Sequence, residues 1–336
     1  MIQKVHMKNI GYLLTALLFL PALAQAEGKF SFIAFGDMPY GAPAIVGPPF
    51  ERLIKAINAA DPAFSIHVGD IKSGSLPCSD EEFERQRAYF DTFEGALIFT
   101  PGDNEWTDCH REKAGGYDPL ERLTRLREIF YDTGEYSLGA SPIVLQRQSD
   151  LGTGEERTYV ENQRWMHNGV LFMTAHIVGS NNGFQTVRPS VAQEYAVRSR
   201  ANRAWIESGF QKAMETGAKA IVLAIHADVF AGLETRNIWP EQSGFGETMM
   251  LFRRLAESFG RPVLLIHGDS HVFIVDQPFT SANPENRGRR LDNVTRLEVF
   301  GAPDVHAVRI LIDPDRPEIF GFAPLFGPGN RSFSDD

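Results

Sequence analysis

FSFIAFGD, residues 30–37, is a run of mostly apolar side chains that stops at a glycine and an acid. Near-continuous apolar character over so short a span predicts a strand covered on both faces. The same phrase recurs twice downstream. FSIHVGD (64–70) and ALIFTPGD (96–103) again carry an apolar strand into Gly-Asp. Between these runs, 50–60 and 79–93 have helical periodicity. Ser79 followed three residues later by Glu82 predicts a capping box at the start of the second helix. Strand and helix in alternation specify an α/β fold.

The alternation continues beyond an irregular stretch, 107–164, which is rich in Gly, Asp and Arg and holds a predicted helix at 120–130. VLFMTA (170–175) reads as a strand ending at His176, and 190–216 as one long helix closed by Gly217. AIVLAI (220–225) is a strand ending at His226. A helix at 247–259 stops at Gly260, with Pro262 beyond it. VLLI (263–266) then runs into HGDSH, 267–271. VTRLEVF, HAVRILID and PEIFGFA add strands at the end, which predicts an antiparallel or mixed portion. No repeat, low-complexity tract or linker interrupts the pattern. Residues 27–327 are therefore expected to form one domain, with 328–336 as a frayed tail.

Residues 1–26 read differently. Lys4 and Lys8 precede an apolar run, 10–20, then Pro21 and Ala24-Gln25-Ala26. That is the pattern of a secretory signal peptide cleaved after Ala26, and the run is short of the ~20 residues that span a bilayer. The expected location is periplasmic or secreted, with no membrane anchor in the mature chain. Removing the two lysines takes the formal charge from −10 to −12. Such a charge gives no field to attract nucleic acid, and an anionic substrate must be drawn in locally, a task bound cations would serve. No feature points to a protein partner. Cys78 and Cys109 are the only cysteines, and in an exported chain such a pair is expected as a disulfide, the alternative being two free buried thiols.

Asp37, Asp70, Asp103, His226 and the group His267, Asp269 and His271 each lie just beyond an apolar strand. Carboxyl ends of parallel strands line the crevice of an open α/β sheet, so ligands from several strand ends can converge there. One Gly-Asp is usually a turn, and one strand-end histidine is usually structural. Three Gly-Asp corners, a strand-end histidine and G-D-x-H in one order are a different matter. Carboxylates and imidazoles suit Zn²⁺, Mn²⁺ or Fe, and two such ions about 3.5–4 Å apart form a hydrolytic clamp.

In FGDMPY, HVGD, PGDNE, AIHAD and HGDSH, spread over 30–273, the chain resembles the calcineurin-like metallophosphoesterases, which include the purple acid phosphatases. The resemblance implies a four-layer α-β-β-α sandwich of two mixed sheets flanked by helices. It implies an enzyme, a metallophosphoesterase that hydrolyses the monoesters or diesters of a small phosphate-ester substrate with a metal-activated water. The implied cofactors are two divalent or trivalent ions, Fe, Mn, Zn or Ca. Asp37 falls on the first-metal aspartate, Asp70 on the bridging aspartate, His226 on a second-metal histidine and His271 on a first-metal histidine. Asp103 and Asp269 stand where the family has an asparagine and a histidine ligand, and extra carboxylates favour harder ions such as Fe³⁺, Mn²⁺ or Ca²⁺. G-D-x-H in place of G-H-x-H is similar to the alkaline phosphatase D branch.

Pro39 replaces the usual histidine ligand after the first aspartate, and Tyr40 is the candidate to stand in for it. Asn104 replaces the histidine that meets the substrate. It can donate a hydrogen bond but cannot supply a proton at neutral pH. His110, His176 and His267 are the candidates for that proton, His110 beside Cys109 being the most interesting. VGSNNG (178–183) offers Ser180, Asn181 and Asn182, either as contacts to metal or substrate, with Asn181 named first, or as a plain polar turn. Arg198, Arg200 and Arg203 read as solvent-facing. Two alternative functions share the fold: a phosphodiesterase specific for nucleotides or lipid head groups, and a catalytically weakened metal-binding or structural protein.

Overall fold

The computed structural model describes residue 1 and residues 28–152, 154–184, 188–233 and 237–330. The expected leader, beyond its first residue, and residues 331–336 lie outside the described residues. The strands are β1 (Phe30–Phe35), β2 (Ser65–His67), β3 (Leu97–Phe99), β4 (Gln146–Arg147), β5 (Gln163–His167) and β6 (Val170–Thr174). They continue as β7 (Ala220–Ala224), β8 (Val263–His267), β9 (Ile274–Asp276), β10 (Val294–Glu298), β11 (His306–Ile312) and β12 (Phe320–Phe326). The long helices are α1 (Pro43–Ala59), α2 (Asp80–Phe90), α3 (Pro119–Phe130), α4 (Pro189–Glu215) and α5 (Gly246–Phe259).

Two mixed sheets result, ordered β12-β11-β1-β2-β3 and β4-β5-β6-β7-β8-β10-β9. β1, β2 and β3 are mutually parallel, as are β6, β7, β8 and β10, while β4, β5, β9, β11 and β12 pair antiparallel with their neighbours. Strand alternation assigns the faces. Phe32, Ala34, Ile66, Val222, Leu264 and Leu297 point between the sheets into one core. Ile33, Phe35 and Phe99 point the other way, against Phe50, Phe83 and Phe130 of α1, α2 and α3. Leu223 and Leu265 meet Trp205, Phe210 and Phe252 of α4 and α5. The layers are helix, sheet, sheet, helix, as the family resemblance implies. Phe32 and Phe172 meet edge-to-face across the two sheets at 5.2 Å, a geometry worth about 0.5–1.5 kcal/mol beyond the area buried.

Three local expectations change. α1 begins at Pro43, not at residue 50, and carries Pro48 and Pro49 inside it. Those prolines leave the carbonyls of Ala44 and Ile45 without helical donors, and both residues are exposed, so water replaces the bonds. At α2, Ser79 accepts from Glu82 N at 3.2 Å, but the Glu82 carboxylate turns to Gln86 and Arg85, so only half of the capping box forms. β4, β5 and β9 were not expected. β5 pairs with β6 through Asn168-Gly169, both at positive φ, a two-residue hairpin turn. Of the expected tail, residues 328–330 are described: Arg52 binds Pro328 O and Asn330 Oδ1 at 2.8 Å each. Among the described residues no helix is long and apolar enough to cross a membrane.

His67 sits in the helix-facing core with its ring 4.8 Å from Phe35 and 5.2 Å from Phe90. Gly69 N donates to its Nδ1 at 3.1 Å, which leaves the proton on Nε2. Burial lowers its pKa from 6.5 to about 3. The unfolded chain therefore takes up a proton below pH 6.5 that the folded chain refuses until about pH 3, and stability falls as pH falls through that window. Thermal melts of wild type and His67→Gln across it should show a shallower decline in the variant. Equal slopes would remove His67 from the account.

Candidate metal centre

Because β1, β2 and β3 lie side by side in one sheet, and β6, β7 and β8 in the other, their carboxyl ends open onto one rim between the sheets. Asp37, Asp70 and Asp103 follow the first three strands, His226 follows β7, and Asp269 and His271 follow β8. Asp37, Asp70, Asp269 and His271 hold left-handed backbone at φ of 55°, 56°, 79° and 63°. Such conformations cost roughly 1–3 kcal/mol each and collect at functional sites. The corners are also crowded. A Cβ on Gly102 would lie 2.0 Å from Asp70 Oδ1, and one on Gly268 2.1 Å from Asp37 Oδ2, so the glycines before Asp103 and Asp269 leave room for the carboxylates of Asp70 and Asp37.

His226 is the hub. Its Nε2 lies 3.0 Å from Asp103 Oδ1, 3.4 Å from Asp70 Oδ1 and 3.8 Å from Asp269 Oδ1. Its Nδ1 donates to Val68 O at 2.8 Å. Ligand atoms of Asp37, Asp70 and His226 lie within 4.8 Å of one another, as do those of Asp103, His226 and Asp269. His271 Nε2 is 3.6 Å from Asp37 Oδ1, and its Nδ1 donates to Ala302 O at 2.7 Å. Both imidazoles thus spend Nδ1–H on a backbone carbonyl and turn Nε2 toward carboxylates. Metal-binding histidines are oriented in this way.

The charges do not balance within the protein. Burial drives the carboxyls of Asp37, Asp70 and Asp269 above their usual range, and neighbouring acids add to it. Burial works the same way on Asp103, but the hydrogen bond and charge of His226 overcome it and hold that carboxyl well below the usual range. Burial opposes a charge on His226, yet Asp70 and the other acids raise its pKa well above the ordinary value. Four acids around one buried imidazole form a donor set that fits hard cations.

Of the remaining predicted residues, Tyr40 and Asn104 are in the site. Tyr40 donates to Asp70 Oδ2 at 2.6 Å; Asn104 N donates to Asp70 Oδ1 at 3.0 Å and its side chain bonds the same carboxylate and Tyr40. Asn181 is not brought there. Ser180 and Asn181 both adopt left-handed backbone, and the Asn181 amide is used on Gln242 O and Gly244 N. Ser180 reaches the site instead, its Oγ 2.9 Å from Asp103 Oδ2 and 2.8 Å from Asp108 Oδ2. His110 bonds Thr107 O and lines a separate surface hollow with Tyr117 and Pro189. His176 is buried against Glu161 at 2.7 Å, with no bond to the cluster. His267 turns to the opposite side of β8. Arg198 is buried, contrary to the solvent-facing expectation, and bonds Asn182 and His176 O.

Asp108 and Arg111 were not expected at the site. Burial and the charge of Asp103 raise Asp108 to about 7. Arg111 pairs with Asp108 at 2.7 Å and bonds Ser180 Oγ at 3.2 Å, which places a half-exposed guanidinium at the rim. They lie on either side of Cys109 in the loop after β3, where only a three-dimensional fold could bring them to Ser180.

No family model matches the chain, and no curated protein matches it. Among solved structures, a 5'-nucleotidase from Candida albicans SC5314 aligns at 11% identity and a TM-score of 0.44, covering 88% of this chain and 50% of that one. The purple acid phosphatase PPD1 from yellow lupin (Lupinus luteus) seeds aligns at 11% identity and a TM-score of 0.46, covering 88% and 53%. The chain spans about half the length of these structures.

Cys78 and Cys109 are joined by a disulfide across the loops that follow β2 and β3, 31 positions apart. Closing a loop of that length is worth about 3–4 kcal/mol in the chain-entropy account. The Cys78→Ser/Cys109→Ser double variant should lose stability on that scale in denaturant unfolding. It should also bind metal more weakly, because both loops start at ligand-bearing corners. An unchanged midpoint would mean that the bridge restricts the unfolded chain too little to set stability.

Proposed function

We propose that the protein is an exported metallophosphoesterase of the calcineurin-like kind, hydrolysing small phosphate monoesters or diesters at a two-metal centre. One observation carries the reading: His226 and His271, each with Nδ1 bonded to a backbone carbonyl, turn Nε2 into four strand-end carboxylates. Asp37, Asp70 and His271 would hold one ion. Asp70, Asp103, His226 and Asp269 would hold the other, with Asp70 shared. Bound there, the ions would supply a nucleophilic hydroxide near neutral pH and neutralise charge growing on the phosphoryl oxygens. Tyr40 and Asn104 orient the shared Asp70 by donating to it. Arg111, at the rim, offers a guanidinium to an anionic substrate, and Ser180 fixes Asp103.

No histidine is assigned to the leaving-group proton, since His110 and His176 have their bonds elsewhere. The reading therefore favours esters with good leaving groups. The disulfide supports an oxidising location.

Purified protein should release p-nitrophenol from p-nitrophenyl phosphate or its bis ester in the presence of Mn²⁺, Zn²⁺, Fe or Ca²⁺. A chelator should abolish the release. Asp70→Asn should lower kcat/KM by at least about 100-fold, as loss of a shared ligand demands. No turnover with any of these metals, while the ions still bind, would favour a centre that has lost catalysis.

A further inference from the structure

A second group of ligand-type side chains lies on the other face of the seven-stranded sheet. β8 and β10 are parallel neighbours with His267 opposite Glu298, so these two side chains leave the sheet on the same side. Leu264, Ile266, Leu297 and Val299 point between the sheets; His267 and Glu298, one position out of step with them, point toward the layer of α4 and α5. Asp228, in the loop after β7, completes the group. One ligand atom from each residue lies within 4.8 Å of the others. His267 and Glu298 are fully buried and Asp228 is 8% exposed.

The hydrogen bonding leaves this pocket short of donors. His267 Nδ1 donates to Gly268 O at 2.9 Å, which leaves a bare lone pair on Nε2, and that atom has no partner. Glu298 Oε1 accepts from Val272 N at 3.2 Å, and its Oε2 is buried without a partner. Asp228 accepts from Phe230 N at 2.9 Å on one oxygen and from Ser270 Oγ at 2.7 Å on the other, each oxygen keeping a second lone pair. Arg296, a nearby cation, is committed to Asp276 by two bonds of 2.7 Å and lies over the Phe230 ring. Three buried acceptors that face one another without a donor call for a cation.

We propose that Asp228, His267 and Glu298 bind a further divalent transition-metal ion of the zinc class, separate from the centre formed by Asp37, Asp70, Asp103, His226, Asp269 and His271. An imidazole nitrogen with two carboxylates suits zinc, whereas calcium asks for six to eight oxygens. The ion joins the loop after β7 to the ends of β8 and β10. Asp228 N also donates to Asp269 Oδ2 at 3.1 Å, so holding Asp228 steadies a member of the first centre. The role is positional, and the site stands whether or not the first centre hydrolyses phosphate esters.

The test is an anomalous difference map at the zinc edge from crystals of the full chain grown with Zn²⁺, for wild type, Asp70→Asn and Glu298→Gln. Elemental analysis of each protein after dialysis accompanies the maps. Wild type and Asp70→Asn should both show a peak about 2.0–2.1 Å from His267 Nε2. Glu298→Gln should lose that peak and one zinc per chain. A water and no anomalous peak beside His267 in wild type would overturn the site even if Glu298→Gln does not fold. A peak that persists in Glu298→Gln would overturn it as well. A peak at His267 with none at Asp70 would keep this site and show that the first centre does not take zinc.

Discussion

The bond from His226 Nδ1 to the carbonyl of Val68 crosses from the seven-stranded sheet to the five-stranded one. Val68 follows β2 and His226 follows β7, so the contact fixes how the rims of the two sheets face each other. Below it the sheets are held mainly by apolar packing, Phe32 on Phe172 and Ala34 with Ile66, Val222 and Ile266 in one core, with a peripheral bond from Asn168 Nδ2 to Gly28 O at 3.2 Å. Apolar burial is strong but non-directional and does not set a ligand atom to within a fraction of an ångström. The polar rim does so. His226 is locked by Val68 and His271 by Ala302, while the Asp37 carboxylate is held by Asp269 N at 3.1 and 3.2 Å.

The rim concentrates negative charge where burial leaves little water to dilute it. Left-handed backbone at four of the ligands and close-packed glycines at 102 and 268 are strain and crowding that a plain turn does not require. Both make sense if several acids must converge on a small volume, and cations are the natural means of offsetting their repulsion. The disulfide holds the loops that carry Asp70 and Asp103 from outside the cluster.

Much of this was legible in the chain. β1, β7 and β8 are short apolar runs whose signal is local, and Gly-Asp marks the corner where each of the first three strands ends. Convergence of Asp37, Asp70, Asp103, His226 and Asp269 could be read because parallel strands place their carboxyl ends together. The pairing of Cys78 with Cys109 was expected from there being only two cysteines in an exported chain, with two free thiols as the alternative. β5 escaped because QRWMH has no apolar alternation, although the Asn168-Gly169 turn that pairs it with β6 was in plain view. Ser180 rather than Asn181 enters the site because a run of left-handed residues, Ser180 to Gly183, redirects the side chains, which composition does not encode. Arg198 looked like a surface residue because its partners, Asn182 and His176 O, come from another part of the chain. Glu298 could not be seen beside His267 at all, since their proximity depends on the register of β8 and β10.

The central claim is that two ions sit close together and share Asp70. Electron paramagnetic resonance of metal-stripped protein titrated with Mn²⁺ tests it directly, because ions about 3.5–4 Å apart couple magnetically. The account predicts a spin-coupled signal that grows in as the second equivalent binds and is absent in Asp70→Asn. Only uncoupled six-line spectra at every loading, in wild type as in the variant, would contradict it.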